Sequence, residues 1–458
     1  MTNVLIIIAD ELSTWGLGCY GGQVHTPNID RLANQGVRYD AAYTPSPICV
    51  PTRACIATGR YLNRIGYWDS ANAYDGQVPG WGHACQAAGV PVTSIGKLHY
   101  RSADDPTGFD RQIEPIHIPN GIGWVRALLR RPLASFDATA EMAEMIGPGH
   151  SDYTRFDERV TEETCRLLAS SDKDTPWVNF VSYVSPHYPL MVPEEFYDLY
   201  DAASLESAPD PLPDHPVLHQ IATFFDHDRH FTHRTRGIGR AAYFGLCSFL
   251  DAQVGKVLAA LEASGQAEDT VVLLTSDHGE MLGRRGIWGK STMYEDAARV
   301  PLIMAGPGIA PGTRPDPVSL VDLAPTICGV VGADAGEHDG QDLAHQAPDR
   351  TVISEYHDGG SPVGITMVRW SNWKYVHYAE GHPPQLFDLS GDPEETNDLS
   401  ADRPDILDEA RRRMAGMLDA EAVNERAHAD QAAMAERLGG YDKLVAMEQW
   451  AFTPADSR

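Results

Sequence analysis

VLIIIADE, residues 4–11, sets six apolar residues directly against two carboxylates. The run is too short for a typical helix, rich in β-branched residues and without alternation. It therefore reads as a parallel strand buried on both faces. The same grammar recurs along the chain. VTSI (92–95) is followed by Gly96, Lys97 and His99, and WVNFVSYV (177–184) by Ser185, Pro186 and His187. TVVLLTS (270–276) ends in Asp277 and His278, and VPLIMA (300–305) runs into the turn Gly306-Pro307-Gly308. Helix-like stretches lie between, such as 27–35, where Thr26 can cap, Pro27 can start and Gly36 can stop the helix. Alternating strands and helices predict an α/β fold: a large, mixed, mostly parallel sheet flanked by helices, with a smaller C-terminal α+β domain. Ligands bind at the carboxyl edge of such sheets. Four strands deliver carboxylate, Lys or His to that edge. Taken singly, each is ordinary, a helix cap or a solvated surface group; together they describe a site.

Bulk composition narrows what the site can serve. The chain has 458 residues, 43% of them hydrophobic, enough for one large domain and a smaller one. Its 36 basic residues against 64 acidic ones leave a net charge of −28. Such a surface repels nucleic acid and anionic membranes, so neither is expected as a partner. An anionic substrate must then be drawn in by a local cluster of cations. Seven Cys (19, 49, 55, 85, 165, 247, 328) lack paired spacing, which fits a reducing compartment. MTNVLIIIADE has no basic n-region or cleavage site, and no apolar run looks long enough to span a bilayer. A cytoplasmic location is expected.

The segment Cys49–Arg60, CVPTRACIATGR, carries the nucleophile candidate. Pro51 is expected at the first helical position and Gly59 at a left-handed end, which leaves Cys49 just outside a helix N-terminus. Backbone N–H groups and the helix dipole favour an anion there, and Arg53 adds a forked cation one turn in. The plainer alternative is a buried structural Cys. Asp10, Glu11, Asp277 and His278 form a hard, mostly oxygen donor set, suited to Ca²⁺, Mg²⁺ or Mn²⁺ rather than structural zinc. Lys97, His99, His187, Lys290 and Arg53 supply positive partners for an oxyanion. Metal, nucleophile and cationic clamp are the parts needed to transfer a sulfuryl or phosphoryl group.

These residues resemble the sulfatase family of the alkaline phosphatase superfamily. CVPTR followed by ATGR is similar to its signature, and ADE (9–11) and SDHGE (276–280) to its two metal segments. GKLHY (96–100), SPHYP (185–189), GKSTMYEDAARVPLI (289–303) and LFDLSGDPEETNDL (386–399) follow in family order. RIGYWDSANAY (64–74) looks most like the branch of choline sulfatases and phosphonate monoester hydrolases. That branch usually carries Gln where this chain has Glu11, and commonly Asn where it has Ser70; Asn72 is a weak substitute. Phosphonate hydrolases tend to carry Tyr and Thr at the positions of Lys97 and His99, so the resemblance favours sulfate esters, with a phosphonate monoester or phosphodiester hydrolase as the alternative.

The resemblance implies that a formylglycine-generating enzyme converts Cys49 to Cα-formylglycine, whose hydrate attacks sulfur. It implies one divalent cation, Ca²⁺ before Mn²⁺ or Mg²⁺, held by Asp10, Glu11, Cys49, Asp277 and His278. Arg53, Lys97, His99, His187 and Lys290 would join Cys49 in catalysis, His99 as the base. Lys97, His187, Lys290 and Ser70 would bind a small sulfate ester. The expected organisation is a catalytic domain (1–348), a small C-terminal sheet (349–400) and a helical tail (401–458) that could lie in the interface of a homo-oligomer. Residues 204–236, rich in Pro, Asp and His, read equally as a lid or a solvated insertion. Tyr67 and Trp68 could wall the pocket, although such residues are more often core.

Overall fold

The computed structural model describes residues 2–447 and 452–455. Eight strands form its central sheet: β1 (Asn3–Asp10), β2 (Val37–Tyr39), β3 (Val92–Lys97), β4 (Arg111–Ile116), β5 (Val178–Pro186), β6 (Thr270–Ser276), β7 (Leu302–Ala305) and β8 (Gly312–Arg314). They lie side by side in the order β8-β2-β7-β6-β1-β5-β3-β4. The neighbours β6, β1, β5 and β3 are all parallel, so the four polar strand ends share one edge. The run VPLIMA departs from the parallel expectation, because β7 is antiparallel to both β6 and β2. A parallel strand needs a crossover that returns the chain to the far edge. Residues 277–301 contain only short helices, such as Glu295–Ala298, and supply no such crossover.

β1 is buried along its whole length and feeds both faces. Leu5 and Ile7 pack with α1 (Pro27–Gln35), α4 (Asp152–Ser170) and α6 (His233–Ser264). Val4, Ile6 and Ile8 pack with α2 (Cys49–Thr58), α3 (Trp81–Ala87) and α7 (Leu323–Val331). This is the doubly covered sheet that an unalternating apolar run requires. Among the described residues one helix, α6, is long and apolar enough to cross a bilayer, contrary to the expectation from the sequence. Its apolar window is 67% buried inside the protein, packed on α4 and on the strands.

α2 begins two residues before the expected start. Ile48 is the extended N-cap, Cys49 the first helical residue and Pro51 the third. Proline is tolerated there because the first four helical N–H groups lack intrahelical acceptors in any case. Gly59 ends the helix in the left-handed conformation, φ 68°, as expected, and a Cβ there would stand 2.6 Å from that of Ala324.

A four-stranded antiparallel meander follows: β9 (Thr351–Tyr356), β10 (Ile365–Trp370), β11 (Trp373–Tyr378) and β12 (Gln385–Asp388). Helices α8 (Pro404–Met417) and α9 (Ala420–Arg437) fold back on their own chain. Leu407, Ala410 and Ala427 join Val368 and Trp370 in one cluster with Cys55 and Leu62, near α2. The meander is thereby sealed to the catalytic sheet. The His-rich stretch is also built into the fold: Pro216–Phe225 forms α5, with the His215 ring accepting a hydrogen bond from the Val217 N–H, and His233 opens α6.

Candidate active site

Two devices re-aim side chains at the carboxyl edge. The β1–β5 register shifts between Ile8 and Asp10, and the β3–β4 register between Ile95 and Lys97. Gly96, at the second shift, has φ 96°, and a Cβ there would lie 2.1 Å from the Ser182 carbonyl oxygen. Such irregularities turn a strand end toward a site. The strand ends carrying carboxylates are laced together as well: the Asp277 N–H donates to the Ala9 carbonyl (3.2 Å) and the Leu12 N–H to Ser276 Oγ (2.9 Å). Glu11 (φ 68°), His99 (φ 54°) and Ser291 (φ 75°) all have left-handed backbones. Each such conformation costs about 1–3 kcal/mol and persists only where its surroundings over-determine it.

Asp10, Cys49, Asp277 and His278 converge, with one ligand atom from each lying within 4.8 Å of the others. Cys49 Sγ is 3.0 Å from His278 Nε2 and 3.5 Å from Asp10 Oδ1. The Nδ1 of His278 lies 3.0 Å from the Gly279 carbonyl, to which its N–H donates; Nε2 is thereby left free to ligate. Two carboxylates and an imidazole fit a hard divalent cation. Burial and then Asp10 push the Cys49 thiol up. Burial alone would raise Asp10, but the Lys97 and Arg53 cations outweigh it and hold that carboxyl well below the usual range.

Glu11 falls outside this foursome. Its carboxylate groups instead with Asp10 and His187, so the single five-ligand set expected from the sequence divides in two. Glu11 Oε2 lies 3.1 Å from Lys290 Nζ and 3.3 Å from His187 Nε2. Burial raises the Glu11 carboxyl, with Lys290 opposing.

Arg53 also differs from expectation. Its Nε donates to Asp277 (2.9 Å), Nη1 to the Lys97 carbonyl (2.8 Å) and Ser182 Oγ (3.0 Å), and Nη2 to Asp10 (3.3 Å). The guanidinium is 2% exposed and does not line the cavity, so it clamps the two carboxylates instead of facing an oxyanion. Lys97 pairs with Asp10 yet lines the cavity, as do His99, His187 and Lys290. Burial, then the charges of Lys97 and Arg53, hold His99 well below its ordinary value, so the ring is neutral; neither of its nitrogens has a hydrogen-bond partner. Burial and Lys290 keep His187 neutral as well. Ser70 lines the cavity, but its N–H and hydroxyl both donate to Asp358 (2.7 and 2.6 Å). Asn72 is not among the lining residues.

The cavity above these groups measures about 180 Å³. An engineered apolar cavity of about 150 Å³ holds benzene, so the space suits a small ligand. Trp124, Phe136, Phe225 and His227 pack together as one wall, and Trp288 and Tyr188 also line the cavity. Phe452 stands 5.4 Å from both Tyr153 and Tyr188 and closes a side with Thr453, whose carbonyl accepts from the Tyr153 hydroxyl. Phe225 and His227 come from the stretch read as a lid or insertion, which is thus part of the wall. Tyr67 and Trp68 are core: both are buried away from the cavity, bonded to Asp75 and Asp430. No motif marks the wall aromatics, and hydrophobic pattern alone does not separate them from core. Asp157 on α4 was also missed. It accepts from the Val184 and Ser185 N–H groups, both 2.8 Å, and so anchors the segment carrying His187.

Comparison with known proteins places this geometry. The sulfatase family model matches residues 2–333. The choline-sulfatase of Rhizobium meliloti (strain 1021) is 32% identical over 434 residues, covering 89% of this chain and 84% of that protein. Arylsulfatase K of Danio rerio is 26% identical over 463 residues, covering 93% of this chain and 85% of its own. The crystal structure of the phosphonate monoester hydrolase of Agrobacterium radiobacter aligns with a TM-score of 0.73 at 24% identity, over 94% of this chain and 96% of that one. A 2-O GAG sulfatase aligns at 0.71 and 22% identity, over 98% and 96%. At those identities the two structures share the fold.

Proposed function

The chain belongs to the sulfatase family and is a sulfuric ester hydrolase, and we propose that it cleaves small sulfate monoesters whose alcohol or phenol rests on ring faces, with Cys49 matured to formylglycine. The observation that carries this reading is the convergence of Asp10, Cys49, Asp277 and His278 beneath a cationic, aromatic-walled cavity. Those four residues would hold a divalent cation, Ca²⁺ or otherwise Mn²⁺ or Mg²⁺, which supplies Lewis acidity and charge to the transferring group. Formylglycine at position 49 would supply an oxygen nucleophile in place of the buried thiol.

The chain's own residues have separate tasks in this account. Arg53 fixes Asp10 and Asp277 and neutralises part of their charge, which keeps both oxygens aimed at the same point. Lys97 faces the sulfuryl oxygens from inside the cavity and draws the anion in against a net charge of −28. His99, neutral and with both nitrogens unpartnered, is the base that takes a proton from the residue 49 side chain. Lys290 carries the proton for the leaving oxygen. The wall has aromatic faces and few polar atoms, which suits an aryl group or a quaternary ammonium better than a sugar.

Peptide mass spectrometry of the Cys49 segment tests the maturation. Enzyme from a host that performs the conversion should show the mass loss of thiol to aldehyde, and sulfatase activity should scale with that fraction. A fully active preparation with an intact thiol would refute it.

A further inference from the structure

One ring in the aromatic wall of the cavity is polar. Asp226 ends α5 with a left-handed backbone, φ 46°, and the His227 ring that follows lies against Phe225, their centroids 5.9 Å apart and their planes 25° from parallel. Phe136 meets the same ring edge-on, also at 5.9 Å. His227 Nδ1 lies 3.1 Å from the Thr139 carbonyl, which can only accept, so Nδ1 carries the proton. Burial pushes the ring's pKa down to about 4, so the imidazole is neutral near pH 7 and Nε2 keeps its lone pair. Nε2 has no partner among the described residues and is not sealed from solvent, and the ring lines the cavity. Among the described lining residues Glu11 is the only carboxylate, and Lys290 pairs with it. The wall therefore offers ring faces and one acceptor, but no anion for a cationic group.

We propose that His227 is a specificity-determining residue: its Nε2 accepts a hydrogen bond from the alcohol portion of the substrate, and the preferred ester is an aryl sulfate bearing a further hydroxyl or N–H on its ring. This deepens the sulfate-ester reading and rests on it. Lys97 holds the sulfate end, and the aryl ring lies along Trp124, Phe136 and Phe225. An acceptor that the wrong substrate covers without pairing loses its water and gains nothing, so an ester lacking the donor is turned over more slowly. A quaternary ammonium has no N–H to give and meets no carboxylate on this wall.

The test uses metal-loaded enzyme of known Cys49 conversion and compares kcat/KM on 3- and 4-hydroxyphenyl sulfate with kcat/KM on the matching methoxyphenyl sulfates. A methoxy group keeps the ring oxygen substituent and a similar leaving ability but removes the donor. In the wild type at least one hydroxy isomer should exceed its methoxy partner by about 10-fold or more, the worth of a hydrogen bond to a desolvated acceptor. His227→Phe keeps an aromatic ring in the wall but no acceptor, and should bring that ratio to within about 2-fold of unity. A ratio that survives His227→Phe comes from the bulk of the methyl group and overturns the assignment. Equal kcat/KM within both isomer pairs of the wild type overturns it too, and that measurement needs no variant to fold. Faster turnover of choline sulfate than of every hydroxyaryl ester would also overturn it. Activity on an aryl phosphonate monoester with none on any sulfate would instead remove the sulfate-ester reading, a different and recognisable failure.

Discussion

Arg53 shows what a single side chain decides here. One guanidinium binds both cation-facing carboxylates and the Lys97 carbonyl, so its removal should damage the metal site before it damages substrate binding. Arg53→Lys cannot reproduce three separate directions from a point charge. We expect metal affinity to fall about 10–100-fold, the usual cost of losing a residue that orients ligands. Equilibrium metal titration of the folded variant measures this, and unchanged affinity with a raised KM would return Arg53 to the oxyanion role. Much of the residue inventory was legible in the sequence, because carboxylate, Lys or His directly after an apolar strand is a strong signal for a sheet-edge site. The partners were not. Whether Arg53 turns toward Asp277 or toward substrate, and whether Glu11 joins the metal set, depends on backbone turns and side-chain directions that no spacing encodes.

Elements aim these residues, and their irregular points matter most. Gly96 combines φ 96° with the Ser182 carbonyl 2.1 Å from where a Cβ would be. Gly96→Ala should therefore cost about 2 kcal/mol or more of stability by strain and overlap, read from denaturant unfolding. It should also lower kcat by displacing Lys97 at the next position. Asp157→Ala should leave the sheet intact but loosen the His187 segment, lowering kcat on alkyl sulfates more than on aryl ones. β1, β3, β5 and β6 were readable as strands because each is a short buried run of β-branched residues. The reversed β7 was not, because direction depends on the path of residues 277–301 and not on the run itself. The start of α2 was displaced for a related reason: proline marks a helix N-terminus but is tolerated at any of its first positions.

At the scale of the whole molecule, distant segments build one small chamber. Phe452, far from the catalytic motifs, packs on Tyr153 and Tyr188. Phe452→Ala should raise KM for 4-nitrophenyl sulfate about 10-fold, with kcat little changed, as expected for about 1.4 kcal/mol of lost apolar contact. Groups far from the site also contribute to the pH dependence of stability. Burial, reinforced by Asp339, pushes the Glu355 carboxyl up to about 8, and burial with Asp358 pushes Asp69 up to about 7. Between its ordinary value of 4.5 and about 8, Glu355 binds its proton more tightly in the folded state, so stability falls as pH rises through that window. Melting temperatures should drop from pH 5 to 8, and Glu355→Gln should flatten that slope; a slope unchanged by the substitution would contradict the assignment. The central claim, a sulfate ester hydrolase working through a matured Cys49, is tested most directly by one comparison on enzyme of known Cys49 conversion. That measurement is kcat/KM on 4-nitrophenyl sulfate beside kcat/KM on an aryl phosphonate monoester. Faster turnover of the sulfate, in proportion to the converted fraction, is the expected result. Much faster turnover of the phosphonate would contradict it.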